Sequence, residues 1–428
     1  MKKDKNLCVH DFCESCLHLM QEKGEIFDNC GLECFYSADE CLRNKNRGVC
    51  SNCGQLLDLN DQQNQQDVNL LKSALENPNL KVICFTAPSI RVSLGEEFGY
   101  ATGSFVEKQM VGALKKLGFD EVFDMNLGAD FTIVEEAKEL EQRLLSGKNL
   151  PMFTSCCPGW VNYCTKVAKD FIPNLSTTKS PQQIFGAIIN NYYTDKKGLK
   201  STNIFVVSIV PCLAKKTELK QEGINSNVGF DVDVAITTKE IAGLLKEKNI
   251  DLKDFDNIDN YYDSFFGAAS GAGAIFANTG GVMESILRTV GDRLSKKEIK
   301  ELNYNPVRGL DGIKRAEIKF EARSLRVAVV MGLKNVNTIL SELRENPNKY
   351  DFIEVMACEG GCIGGPGQPD VKNDRQEVLK KRAACLYGAE LKHQYRKSHK
   401  NPALIKVYDE YLGDIGGEKA ELLLHRHF

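Results

Sequence analysis

The sequence predicts an α/β body preceded by a small cysteine-rich segment that metal holds together. Two patterns carry this. From Lys81 onward, apolar strand-like runs alternate with stretches of helical periodicity, which is the signature of α/β layering. Eight of the 16 cysteines crowd into the first 53 residues, where aliphatic residues are too few to build a core. At 428 residues the chain is long enough for two or three domains or for one two-lobed body. Hydrophobic residues make up 42% and charged residues 26%, as in ordinary soluble globular proteins. A net charge of −3 gives no reason to expect nucleic acid or an anionic membrane as partner. Neither a long apolar span nor the apolar core of a signal peptide is present, so a cytoplasmic location is expected.

The elements follow in order. Residues 1–54 form the cysteine-rich region, and 55–80 a polar linker (NDQQNQQD) leading into VNLLKSAL, which has helical spacing. KVICFTAPSI (81–90) reads as a buried strand ending in a proline turn, and FVEKQMVGALKKLGF (105–119) as an amphipathic helix. VFDMNLGAD (122–130) reads as strand to turn, and FTIVEEAKELEQRLLSG (131–147) as a helix closed by Gly147. MFTSCC, NIFVVSIVPC, DVAIT, RVAVVMGL and YDFIEVMAC read as further buried strands. The glycines of SGAGAIFANTGG fit a turn before a helix or a phosphate cradle, but the Lys-Ser/Thr ending of a P-loop is missing.

In a reducing compartment this many cysteines point to metal or redox chemistry rather than a disulfide framework. Three strands end in cysteine with glycine or proline: FTSCCPGW, VVSIVPCLAKKTE and FIEVMACEGGCIGGPGQP. Loops at strand ends are where α/β folds place their chemistry. Together they hold Cys156, Cys157, Cys212, Cys358 and Cys362. Four thiolates make an iron–sulfur or zinc set, with one thiol left over. Cys84, Cys164 and Cys385 lack such context and read as plain core or surface thiols.

These three motifs resemble those of the [FeFe]-hydrogenases, and the similarity runs through GEEFG, KSPQQIFG, ITTKE, SGAGAIFANTGGVMES and VRGLDGIK over residues 81–428. The resemblance implies a two-lobed catalytic domain holding an H-cluster, a [4Fe–4S] cube joined to a two-iron unit with CO, cyanide and dithiolate ligands. It implies Cys157, Cys212, Cys358 and Cys362 as ligands of the cube, and Cys156 as the thiol that moves protons. It assigns Glu136, Ser176 and Glu139 to a relay toward the surface, with Arg143 near its mouth. Pro88, Ser89, Gln182, Val210, Met356 and Lys215 would surround the two-iron unit, Lys215 donating to a cyanide nitrogen. By periodicity alone, Glu136, Glu139 and Arg143 share one helix face that would be taken for a solvated one. Three positions depart from the family pattern without touching a ligand: Val210 stands where Met is usual, Pro366 where Gly is usual, and Glu359 where some relatives have His.

Within the first 53 residues the spacing is C-x4-C-x2-C-x13-C-x3-C-x6-C-x8-C-x2-C, which is not the bacterial-ferredoxin run. Cys8, Cys13, Cys16, Cys30, Cys34, Cys41, Cys50 and Cys53 suffice for two accessory iron–sulfur clusters, zinc being the alternative. The implied reaction is 2H⁺ + 2e⁻ ⇌ H2, with electrons from a carrier such as ferredoxin and maturation proteins supplying the two-iron unit. Hydrogenase-like iron–sulfur assembly proteins and H2-sensing forms are the alternatives. The assembly proteins typically read Ala-Cys-Pro-Gly-Trp where this chain has Cys156, and sensory forms often alter that cysteine.

Overall fold

The computed structural model describes residues 18–20, 26–28, 61–221, 223–226, 229–371 and 374–428. Cys8, Cys13, Cys16, Cys30, Cys34, Cys41, Cys50 and Cys53 lie outside the described residues. In that region β1 (His18–Met20) and β2 (Ile26–Asp28) pair antiparallel. The strands that follow are β3 (Lys81–Thr86), β4 (Glu121–Asp124), β5 (Met152–Phe153), β6 (Ile204–Val210), β7 (Val234–Thr237), β8 (Ile313–Lys319), β9 (Ser324–Met331) and β10 (Phe352–Met356).

Two four-stranded sheets organise the body, one per lobe. The first has the order β4-β3-β6-β7 and is parallel throughout. The second has the order β5-β10-β9-β8, parallel except for its edge pair β8–β9. Parallel strands need cover on both faces, and the continuous apolar runs VICFT, FVVSIV and VAVVM meet that need.

The helices that build the site are α1 (Asp61–Leu75), α2 (Glu107–Leu117), α3 (Met125–Ser146), α4 (Pro158–Lys166), α5 (Pro181–Ile188), α6 (Ala214–Glu218), α7 (Gly281–Ser295), α8 (Arg375–Glu390) and α9 (Glu418–Leu424). Two of them correct the sequence reading. The polar spacer is helical from Asp61, because α1 needs only its last turns apolar to pack. DMNLGAD is no turn: Asp124 caps α3 by accepting from the Asn126 N–H, so the helix starts at Met125 and runs to the Gly147 cap. The edge strand β8 was missed altogether. Its alternation IKRAEIK is half polar because one face is open to solvent.

α3 lies between the lobes. Met125, Leu127, Phe131 and Val134 belong to the core of the first sheet, while Ala129, Ile133, Ala137, Leu140 and Leu144 belong to that of the second. A helix buried on two sides loses its solvated face, and Glu135, Glu136 and Glu139 are all buried, against what periodicity alone suggests.

The glycine-rich run is only in part the turn before a helix: Gly271–Ile275 is a short helix of its own, and residues 276–280 turn into α7. Its anion partner is internal: Glu354 of β10, fully buried, accepts from the Gly280 N–H at 2.6 Å and the Met283 N–H at 2.7 Å. A carboxylate thus fills the place a phosphate would take at a helix N-terminus. Replacing Glu354 with alanine strands both donors in the core. Denaturant unfolding is expected to show a loss of about 2–3 kcal/mol, with Glu354→Gln recovering part of it.

A cavity framed by five thiols

All three cysteine motifs meet in one cavity between the lobes. Its wall includes Cys156 and Cys157 after β5, Cys212 after β6, and Cys358 and Cys362 after β10. The strand ends supply the cysteines, and the loops hold one another. The Gly367 N–H donates to the Pro211 carbonyl at 2.7 Å, joining the third loop to the second. Gly365 sits so near that carbonyl that a Cβ would lie 2.4 Å from the oxygen. Gly361, at a φ of +85°, lies against the Ala277–Thr279 backbone, where a Cβ would come within 2.8 Å of the Ala277 oxygen and 2.7 Å of the Thr279 nitrogen. This cavity is the reason for the GGPGQ run; Pro366 stands between two glycines that the packing requires.

The neighbouring pair CysCys separates because the chain there is extended and side chains alternate. Cys156 packs in the core of the second sheet, under α3. Cys157 caps α4, with Pro158 in the first turn where no N–H is needed. Its sulfur accepts from the Ala357 N–H at 3.4 Å, and the N–H groups of Gly159 and Trp160 also favour its thiolate. Trp160, with no exposed surface, locks α4 onto Phe153 at 5.2 Å between ring centroids.

All eight described cysteines are free thiols. Burial raises the pKa of Cys157 and Cys212 and pushes Cys362 up to about 12. Such thiols become thiolates only beside strong positive charge, which iron provides. Among the described residues, no three His, Cys, Asp or Glu side chains close around a point the size of a single ion. Four cysteines spread around a volume suit a polynuclear cluster, for which Cys₄ is the usual donor set. Ser89 follows cavity-lining Pro88 but is not itself on the cavity wall; its buried hydroxyl has no hydrogen-bond partner among the described residues.

Pro88, Gln182, Val210, Met356 and Lys215 all line the cavity. Lys215 donates to Glu218 at 2.8 Å and to the Cys156 carbonyl at 3.1 Å. Glu218 was not singled out from sequence, yet it organises this wall. It is fully buried and accepts from Lys215, Ser180 (2.9 Å) and Gln182 (3.1 Å), while Ser208 fixes the other end of the Gln182 amide at 2.6 Å. Its spacing from Lys215 in AKKTE, three residues on a helix, was the available signal.

Behind Cys156 stands the acidic face of α3. Burial, then the Glu136 charge, pushes the Cys156 thiol well up; burial, then Glu139, does the same to Glu136. Both shifts favour the protonated form of each group. Neither Glu136 oxygen makes a hydrogen bond of good geometry among the described residues, although the Ser155 N–H and Ser176 hydroxyl lie close enough to oppose its rise. Ser176 donates to Glu139 at 2.6 Å, and Glu139 accepts from Arg143 at 2.6 Å. Arg143 also donates to the carbonyls of Asn149, Pro173, Asn174 and Leu175.

Residues 80–366 match the family model described as iron only hydrogenase large subunit, C-terminal domain, and residues 376–428 match iron hydrogenase small subunit. Iron hydrogenase 1 of Clostridium pasteurianum is 42% identical over 358 residues, 83% of this chain and 62% of that one. The chain thus spans less than two thirds of that relative's length. A variant of apo [FeFe]-hydrogenase HydA1 from Chlamydomonas reinhardtii superimposes with a TM-score of 0.74 at 36% identity, covering 85% of this chain and 98% of its own. A more distant relative, the cytosolic Fe-S cluster assembly factor narfl of Danio rerio, is 30% identical over 81% of this chain and 86% of its own. No helix among the described residues is long and apolar enough to cross a membrane. By sequence, by fold and by the cysteines that meet in its central cavity, the chain belongs to the iron hydrogenase large-subunit family.

Proposed function

We propose that this protein is an [FeFe]-hydrogenase catalysing 2H⁺ + 2e⁻ ⇌ H2. The observation that carries the reading is Cys156: a buried thiol on the wall of the cavity that the other four motif cysteines share, backed by buried Glu136, whose carboxyl is pushed toward its protonated form, and by the Ser176–Glu139–Arg143 chain. In this reading Cys157, Cys212, Cys358 and Cys362 hold the [4Fe–4S] part of an H-cluster. The bound cluster supplies the two-electron redox chemistry that no side chain offers.

The chain's own residues do the rest. Cys156 gives or takes the proton at its sulfur, Glu136 replenishes it, and Ser176 links Glu136 to Glu139. Lys215, held by Glu218, presents a cation to the cavity for an anionic ligand such as cyanide. Apolar Val210, Met356 and Ala87 line the same wall and limit water. We assign residues 81–428 to this catalytic domain, 55–80 to a linker and helix, and 1–54 to two accessory iron–sulfur clusters. Zinc is the alternative there. Those clusters would bring electrons from a ferredoxin-type carrier, and maturation proteins would supply the two-iron unit.

The likeness to a cluster assembly factor supports a second reading, in which the cysteines serve without turnover of H2. The test is H2 evolution from reduced viologen by anaerobically purified protein loaded with a two-iron unit, alongside iron and sulfide analysis. Sustained evolution carries the hydrogenase reading. A protein that holds the unit but evolves nothing moves the weight to sensing, and one that never accepts it moves the weight to assembly. Glu136→Gln keeps the shape but cannot cycle a proton, so a loss of roughly 10²-fold or more in turnover is expected at unchanged iron content.

A further inference from the structure

The carboxylate of Glu139 is held from two sides. Arg143 grips it along α3, and the 176–178 segment supplies the rest: the Ser176 hydroxyl at 2.6 Å and the Thr177 N–H, which reaches both oxygens at 3.1 and 3.0 Å. That segment is itself strapped down by the chain's C-terminal residues. The Lys179 N–H donates to Leu424 O and the Arg426 N–H to Thr177 O, each at 2.8 Å, as an antiparallel bridge centred on Thr178 and His425. The Lys179 ammonium adds a 2.8 Å bond to the Leu423 carbonyl at the end of α9.

His425 closes this strap onto α3. One ring nitrogen, Nδ1, meets the Thr177 hydroxyl at 2.8 Å; the other, Nε2, meets Glu135 at 3.1 Å. Glu135 sits one helical turn before Glu139 and is fixed by the Tyr408 hydroxyl and the Gly416 N–H. The imidazole thus bridges the residue that clamps Glu139 and the helix that carries it. We propose that His425 is a positioning residue of the proton relay, holding Thr177 against Glu139 so that its own charge sets how firmly the Ser176–Glu139 pair is aligned. The inference rests on the relay assigned above.

The charged groups around the ring favour a cation. Glu135 and Glu139 face it from α3, and Glu421 from α9 at 3.7 Å; Lys179 is engaged by the Leu423 carbonyl and Arg426 by Gln221. Burial opposes the charge, but the hydrogen bond and charge of Glu135, with Glu421 and Glu139 behind, raise the His425 pKa above its usual value. A raised folded-state pKa means that the ionic part of the clamp is complete below about pH 6.5 and is lost as pH rises through the raised value. The strap should therefore loosen on the alkaline side.

Two readouts test this on the full-length, cluster-loaded protein. In the first, the pH profile of H2 evolution for the parent should carry an alkaline inflection of roughly two- to tenfold. His425→Gln and Thr177→Val should lack it; the second variant keeps the N–H on Glu139 and removes only the hydroxyl that meets the ring. In the second, hydrogen exchange at the amides of Thr177, Lys179 and Arg426, corrected for intrinsic rates, should lose protection across the same pH window in the parent alone. Parent-like pH profiles in both variants, or pH-independent protection in the parent, overturn the proposal. If loaded parent protein evolves no H2, the hydrogenase reading fails separately, and the exchange measurement still decides whether His425 works the clamp.

Discussion

Cys156→Ala is expected to lower H2 evolution by about 10²–10⁴-fold while leaving iron content and fold intact, the range over which a positioned proton-transfer group acts. The side chain removed is small and sits at the cavity wall with 7% of its surface exposed, so little packing is lost. What is lost is the only described thiol of the five motif cysteines that the four-ligand assignment leaves free for protons. Cys156→Asp restores a proton carrier at nearly the same reach and should recover part of the rate. Cys156→Ser, whose hydroxyl is far less acidic, should not. Assay of H2 from reduced viologen, normalised to iron, separates these outcomes. A Cys156→Ala protein as active as the parent would remove Cys156 from the mechanism.

Glu218→Ala carries the largest expected loss of stability, about 3–5 kcal/mol, because it leaves the Lys215 ammonium with no counter-charge in a buried site. It also frees Ser180 and one Gln182 donor at once. Glu218→Gln keeps the volume and one acceptor and should cost less. The double change Glu218→Leu with Lys215→Met removes the pair together. It should recover much of the stability without recovering activity, because the cation offered to the cavity is gone. Chemical denaturation and the viologen assay on the same samples read the two effects apart. Equal stability of Glu218→Ala and parent would mean that Lys215 swings to water and that Glu218 does not organise this wall.

The sequence showed the chemistry more clearly than the elements that bring it together. The strands ending in Cys157, Cys212 and Cys358 were readable because parallel strands are buried on both faces and so run continuously apolar. The cavity itself was reached through the motifs and their resemblance, since spacing along a chain does not say which loops meet. Glu136 and Glu139 illustrate the limit. Their periodicity is that of a surface helix, and only the second core packed against α3 makes them interior. Glu354 illustrates another: a glutamate inside an apolar run looks like an exception until the α7 N-terminus arrives from 71 to 74 residues away in sequence to meet it. His425 and Thr177 had no signal at all, because their pairing depends on where the C-terminal residues return. The edge strand β8 was lost to its own solvent-facing polarity.

A helix that lends one face to each of two cores also ties their fates. Losing either core would strip α3 of half its burial, and the exposed half would drag on the other, so the lobes should melt in one cooperative transition rather than two. Glu136 and Glu139 ride on that shared member, at the seam where independent motion of the lobes is most costly. Distances between them are therefore guarded by the stability of the whole body, not by local bonds alone.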